Sequence, residues 1–538
     1  MPAITRGSGG RPAWLAALAL VVSLAVVGAP RPAVAAPHGE PPGSGDDLPP
    51  LPDDGDKGGG GDDGDKGGDD VTAPDLENQI NDPDETEPTP SKELPVDGLG
   101  KRPALPSIDR DLISPRQANA GRGSAQVDLA KVGEDLFLDL DLRYTFRTGK
   151  WQIAPQLPLR LRIVDEAPET DDVIRREDWD EPGDFARILQ FVQFGATNDP
   201  YFFRVGELYG ITIGHGSLVN RYFNTVDVDH YQPGVFALAD FDFVGGEILL
   251  DNLLDPEILV GRAYLRPLTF FDGLPRWLRW LKVGTTVGAD FRAPLALAES
   301  GGGVYANPDW EPVVLSDEVA GLFGLDLEVP VVSEPHFDLV PYTDVATVDG
   351  KGAGFHLGSY VNIRFTTKTS LRMRLEYRFL GDRYEAGYIS PFYEIERYSF
   401  QNGDPKLARL RAGEVGGGGS GFHFEGDLRI AKDFRWALLY TIRGGHRGHD
   451  LVTRFRLDHL GPVRLTIFFA RLGFDGLDNL YAADRTLWGT AVRVLLTDWF
   501  YVHGRVLTEW WLRHDETGEA SFDTVVNFNV GVGIILNL

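Results

Sequence analysis

Thr369–Leu380 reads TSLRMRLEYRFL. Leu371, Met373, Leu375, Tyr377 and Phe379 take one set of alternate positions; Arg372, Arg374, Glu376 and Arg378 take the other. A strict period of two belongs to a β-strand, whose successive side chains point to opposite faces. The stretch therefore predicts a strand with one apolar and one charged face. Its length is a second clue. Ordinary strands run to about five or six residues, whereas a tilted strand that crosses a membrane needs about 9–11. The apolar face has two candidate partners, lipid or a second sheet.

The same pattern recurs outward from this stretch. LFLDLDLRYTFR (136–147) sets Leu136, Leu138, Leu140, Leu142, Tyr144 and Phe146 against Asp139, Asp141, Arg143 and Thr145. The chain ends in VVNFNVGVGIILNL (525–538), with Val526, Phe528, Val530 and Val532 opposite Asn527, Asn529, Gly531 and Gly533. Strand-like runs of this kind fill the chain from Leu136 onward. A further pair is expected over 185–195 and 201–213. Short turns (366–369, 432–433, 461–462 and 497–498) alternate with long loops (165–183, 294–318 and 381–420). Aromatic residues gather near strand ends: Trp151, Trp499, Phe500, Tyr501, Trp510 and Trp511. A soluble sandwich alternates too, but a chain this long divides into domains with visible linkers, and none is seen after Gly133. Amphipathic strands, alternating connections and aromatic ends together predict a closed membrane barrel.

The N-terminus points to export. Arg6 and Arg11 precede the apolar run WLAALALVVSLAVV (14–27), and Ala33-Val34-Ala35 offers a cleavage site, so 1–35 reads as a signal peptide. Residues 36–123 are Gly-, Pro- and Asp-rich, with the repeat DDGDKGGGGDDGDKGGDD at 53–70. So little apolar area cannot offset the entropy of ordering, and a disordered tail is expected there. The repeat lacks the bidentate Glu and flanking helices of a calcium loop. The barrel is assigned to 124–538. A net charge of −28 argues against a nucleic-acid partner, and the absence of Cys excludes disulfides and thiolate metal sites.

In its amphipathic strands and its closing C-terminal strand the chain resembles bacterial outer-membrane β-barrel proteins of porin-like type. The resemblance is architectural and matches no particular subfamily. It implies an all-β fold, a large transmembrane antiparallel up-and-down β-barrel of about 18–20 strands. It also implies the outer membrane of a Gram-negative cell, with outer-membrane lipid, the barrel-assembly machinery and small hydrophilic solutes as partners. Strand parity sharpens the number. The runs from Leu136 give an odd count, bacterial single-chain barrels have an even one, and SAQVDLAK (124–131) is expected to supply the missing strand. Twenty strands are predicted, with 18 as the next choice, on the even-number rule.

Two sets of residues are candidates for function. Under the resemblance, Arg160, Arg162, Arg364, Arg372, Arg374, Glu376, Arg378, Arg429, Arg454 and Arg456 would line the lumen. They would either pair across strands or create a field that screens solutes by charge. The segment GHGSLVNRYFN (214–224) would fold inward as a loop, its glycines allowing tight turns and His215, Asn220, Arg221, Tyr222 and Asn224 holding it in place. His215 and Ser217 would share a strand face, which resembles the Ser–His pair of an outer-membrane phospholipase. However, GxSxG is absent, and a third converging group is not visible. His215 with Asp227, Asp229 and His230 matches no zinc spacing. The expectation is a passive channel for small hydrophilic solutes and not an enzyme, with no catalytic, cofactor-binding or metal residue. The alternatives are a plugged structural or adhesive barrel whose outer loops bind a partner and, further behind, an esterase.

Overall fold

A computed structural model describes residues 122–537 except 133–134, 166–171, 176–177, 180–181, 196–198, 225–230, 301–302, 305–311, 399–403, 415–417, 432, 444–447, 477–479, 481–485 and 515–519. The signal peptide, the acidic tail through residue 121, the Asp227, Asp229 and His230 group and Leu538 lie outside the described residues, while Arg122 and Gly123, expected in the tail, begin the first strand.

The described chain is a closed antiparallel barrel of 20 strands. In chain order the first ten are β1 (Arg122–Val132), β2 (Asp135–Thr148), β3 (Trp151–Val164), β4 (Leu189–Phe194), β5 (Tyr201–Gly206), β6 (Gly234–Asp240), β7 (Val244–Leu250), β8 (Ile258–Leu265), β9 (Lys282–Leu297) and β10 (Val314–Glu328). The second ten are β11 (Phe337–Val348), β12 (Gly352–Arg364), β13 (Thr369–Leu380), β14 (Gly419–Ile430), β15 (Phe434–Ile442), β16 (His449–Leu460), β17 (Val463–Phe474), β18 (Thr486–Leu495), β19 (Phe500–His514) and β20 (Ala520–Asn537). Each strand pairs with its chain neighbours, and β1 closes the ring on β20 from Arg122↔Asn537 to Lys131↔Phe528. Closure leaves no free sheet edge. The expected strand at 124–131 is the middle of β1, so the predicted count of 20 holds.

The burial pattern is inverted relative to a soluble protein. On β13 the charged face is the buried one: Arg374 is 0 % exposed and Glu376 1 %, while Tyr377 is 43 % and Phe379 48 %. Neighbouring β12 repeats this, with His356 and Asn362 buried and Phe355 and Leu357 exposed. On β20, Asn527 and Asn529 are buried while Val530 and Val532 are exposed. Polar side chains fill the inside of the ring and aliphatic ones cover its outside.

Three boundaries differ from the sequence reading. β5 stops at Gly206, and residues through Ile213 turn into the barrel instead of extending the strand. Gly206 has φ +114°, and a Cβ there would fall on the Gln190 carbonyl oxygen, so the chain leaves the sheet at a position only Gly fills comfortably. β4 begins at Leu189, because Pro182–Ala186 forms a short helix. β9 and β10 run on to Leu297 and back to Val314, through a bulged pairing, so the loop expected over 294–318 is shorter.

All even-to-odd connections lie at the end that carries both termini, and all odd-to-even connections lie at the other, distal end. The long connections 207–233, 298–313 and 381–418 are therefore all distal. One of them crosses the mouth. The short extended pair Glu299–Ser300 and Gly303–Val304 brings Val304 against Ala520 at the start of β20, on the far side of the ring from β9 and β10.

Candidate functional site: the filled interior

The segment after β5 forms a small hairpin inside the barrel. Ile211 and Tyr222 exchange backbone hydrogen bonds (3.0 and 2.9 Å), and the Ile213 N–H donates to the Val219 carbonyl (3.2 Å). The tip holds Gly214 (φ +59°) and Gly216 (φ +79°). His215 and Ser217 therefore sit in a turn and not on a strand face, which corrects the sequence reading. The Asn224 carboxamide replaces the lost ladder. Its Oδ1 accepts from the Leu208 N–H (2.7 Å), and its Nδ2 donates to the carbonyl oxygens of Asp251 (3.1 Å) and Gly206 (3.3 Å).

A second loop, 381–413, packs against this hairpin. Val219 and Ile389 form a parallel bridge, with the Asn220 N–H donating to the Ile389 carbonyl (3.0 Å) and the Ile389 N–H to the Leu218 carbonyl (3.0 Å). Tyr384 donates its hydroxyl to the Ser217 carbonyl (2.7 Å). Leu218, Val219 and Tyr222 of the first loop and Tyr384, Tyr388, Ile389, Tyr393, Leu407 and Leu410 of the second share one apolar core with Phe236, Leu249, Val260, Leu322 and Val348 of the wall. The loops thus form a plug with a soluble-type core, seated on the inner surface of β6–β11. The sequence reading found the first loop and missed the second. Its signal was present as tyrosines at 384, 388, 393 and 398 in an insertion otherwise rich in Gly and charge.

Charged side chains pin the plug to the wall. Arg374 donates to the His215 carbonyl, to the Tyr342 hydroxyl (2.8 Å) and to Glu376 (2.8 Å), and lies 3.4 Å from Glu425. Arg221 of the plug reaches the other oxygen of Glu425 at 2.8 Å. All of these groups are buried, so each charge depends on its partners in place of water. The His215 ring stacks on Tyr342 (centroids 4.1 Å apart, planes 4° apart). Its Nε2 bonds Glu328 (3.0 Å), and its Nδ1 faces Asp344 (3.8 Å) and Asp326 (4.0 Å). Burial opposes a charge on His215, but the carboxylates of Asp344, Glu328 and Asp326 outweigh it and push the imidazole up to about 9. Arg262 and Lys282 hold the same carboxylates from the wall side, Arg262 to Asp326 (2.6 Å) and Lys282 to Glu328 (2.7 Å). The Ser217 hydroxyl donates to Asp344 (2.8 Å) and Tyr222 to Glu394 (2.6 Å). Burial, helped by the charge of Asp251, pushes the Glu394 carboxyl up to about 8.

The remaining expected lumen residues divide by position. Arg372 faces Asn362 and Asp427 in register, and Arg378 donates to Glu376. Arg160 pairs with Asp178 (3.0 Å) of the distal loop 165–188, and Arg162 with Asp135 (3.0 Å). Arg429 lies 3.3 Å from Asp427 and Arg456 2.7 Å from Asp458; Arg454 is buried at an inward position of β16. Arg364 sits at the rim that carries the termini, where it bonds Asp338 (2.5 Å) and the Glu334 and Pro335 carbonyls (2.6 Å each). Among the described residues no group of three or more His, Asp or Glu side chains is arranged to hold a metal ion.

A closed, inside-out, antiparallel ring is the architecture of outer-membrane β-barrels, and the solved structures that the chain is similar to are of that kind. They include Wzi of Escherichia coli, described as an outer membrane carbohydrate-binding β-barrel involved in group 1 capsule assembly (10 % identity, 78 % of this chain, 84 % of that one, TM-score 0.31). They also include OccK11 of Pseudomonas aeruginosa (11 %, 78 %, 96 %, 0.32) and the ferric enterobactin receptor PfeA of the same organism (10 %, 78 %, 82 %, 0.33). No family model and no curated protein matches the chain.

Proposed function

We propose that the protein is a channel of the bacterial outer membrane for small hydrophilic solutes, narrowed by the two-loop plug and biased toward anions. The inverted burial carries the membrane part of this reading. A contiguous aliphatic exterior is costly in water and is what lipid requires. The bias rests on one arc of the wall. Arg435, Arg454, Arg456, Arg464, Arg493 and Arg505 occupy inward positions on β15–β19, where the acids in the sequence are Asp450, Asp458 and Glu509. A wall with this excess raises the local concentration of anions. The reading includes no Ser–His hydrolase, since the Ser217 hydroxyl donates to Asp344 and His215 bonds Glu328 in place of each other.

A second reading has its own support. The plug's ion pairs are fully buried, and Val304 of the β9–β10 connection reaches across the mouth to Ala520. That combination suits a barrel whose distal loops bind a partner while its lumen stays closed. Planar-bilayer recording of the refolded protein separates the two. Steady ohmic steps with a reversal potential on the anion side support the channel; silence under all voltages favours the closed barrel. Fractionation should place either form in the outer membrane, inserted by the barrel-assembly machinery.

A further inference from the structure

Between the plug and the inner surface of β13–β17 lies a cavity near the distal mouth. It offers about 100 Å³ to the centres of water-sized molecules. One water needs roughly 10–15 Å³ in that measure, so the space holds several waters or one small ring. Its lining includes apolar side chains, Phe392 of the plug and Leu439, Val452 and Leu472 of the wall. Polar side chains lie among them, and their charges are already matched. Arg378 donates to Glu376, and Arg443 donates to Asp450 (2.8 Å). Lys406 lies 3.3 Å from Glu385 and 3.2 Å from Glu396, which also accepts from Ser390 (2.8 Å). His423 is held between Thr441 (2.8 Å) and Glu425 (2.7 Å). Asn220 also lines the cavity. Its Oδ1 is buried without a hydrogen-bond partner and carries no charge to be matched, while its backbone is fixed by Ile389.

A ligand with a formal charge would have to break one of these pairs or sit unpaired beside them, and both are costly. A hydroxyl group can donate to Asn220 Oδ1 and accept from the arginines without disturbing any pair. A lining that mixes apolar side chains with matched donors and acceptors suits a ring with C–H faces and a hydroxylated edge. We propose that this cavity is a binding site for a neutral, hydroxylated ring of monosaccharide or cyclitol size, and that Asn220 is its specificity-determining acceptor. The site stands whether or not the lumen conducts.

The test is calorimetric titration of the full chain in detergent with D-glucose, D-galactose and myo-inositol, and in parallel with gluconate and glucosamine. At least one neutral probe is expected to bind with a Kd of about 1 mM or tighter, and the charged analogues at least tenfold more weakly. Asn220→Ala is expected to weaken the neutral probe about tenfold. Asn220→Asp, which adds a charge, is expected to weaken it as well. Both variants are first checked for heat-dependent gel migration like that of the native protein. Should either fail that check, Leu472→Trp, which fills the cavity from the wall, replaces it and is expected to abolish binding. Absence of heat with every neutral probe, tighter binding of a charged analogue, or unchanged affinity in the folded variants would overturn the proposal.

Discussion

Two arcs of the same barrel wall are built differently. Along β6–β13 the inner surface carries Phe236, Leu249, Val260, Leu322 and Val348 beside Glu328, Asp344, Arg374 and Glu376, and all of it is covered by the plug. Along β15–β19 the inner surface is dominated by arginines, whose ion pairs include short-range ones, Arg456 with Asp458, with Arg443 and Asp450 paired at the rim. The first arc behaves like half of a soluble core, in which burial makes each polar pair indispensable. The second is a wall of side chains that pair with near neighbours. In the first arc the pairs hold a loop to the wall, so breaking one from one side releases the loop; in the second they join strands that the backbone ladder already holds together. The two arcs should therefore respond differently to the same substitution.

The largest expected effect is at the centre of the plug contact. Arg374→Ala removes the donor to Tyr342, Glu376 and the His215 carbonyl and leaves Glu376 and Glu425 short of a partner. Loss of one partner of a buried pair costs about 3–5 kcal/mol. The variant should lose heat-resistant gel migration at a lower temperature and should become cleavable by protease within 207–224. Arg456→Ala on the other arc should change neither. Equal losses at the two positions would break the comparison.

The outer surface is tested by Leu357→Arg. Leu357 is 54 % exposed at the middle of β12. A solvent-facing position tolerates Arg, whereas at a bilayer midplane Arg costs about 2–4 kcal/mol. Denaturant unfolding in lipid vesicles should show the larger loss, and a change under about 0.5 kcal/mol, as at ordinary protein surfaces, would contradict a lipid-facing wall.

The plug contact should also weaken with pH. His215 is raised from 6.5 to about 9, so its contribution is complete below about 6.5 and fades as pH rises through 9. Glu394 is raised from 4.5 to about 8, so the folded plug holds its proton more tightly than the unfolded chain does, and this too favours the plug at lower pH. Both groups act in the same direction. Proteolysis within 207–224 should be slow at pH 6 and faster at pH 9.5. His215→Gln should flatten the upper part of that profile; an unchanged profile would mean that the imidazolium does not hold the loop.

The barrel was legible in the sequence because its rule is local. Alternation along TSLRMRLEYRFL marks the strand and its two faces, and parity alone recovered β1 from SAQVDLAK. The inward turn of 214–224 was legible in part, since three glycines from 210 to 216 announce backbone that is not a strand. Its partners were not. Asp326, Glu328, Asp344 and Glu425 look like ordinary inward acids of separate strands, and only closure of the ring brings them around His215 and Arg221. The boundary at Gly206 was misplaced for a related reason: LYGITI keeps an apolar pattern, but that pattern serves the plug core and not the sheet. Periodicity reports which face is apolar and says nothing of what covers it.

The smallest expected effect in stability is the most informative about transport. Arg454 and Arg493 project from the basic arc, each 6–7 % exposed. Replacing both with Glu should cost less stability than Arg374→Ala, because the backbone ladder holds their strands in place, while it removes two positive charges from the wall and adds two negative ones. In a salt gradient the reversal potential should move toward the cation side, and Arg→Gln at the same positions should move it about half as far. The same exchange at Arg374 should fail to fold the plug before any selectivity can be read. A basic arc that shapes the ion path predicts selectivity altered with stability kept. If the double Glu variant loses heat-resistant migration as Arg374→Ala does, the second arc is also a closed, load-sharing core, and the two walls are alike after all.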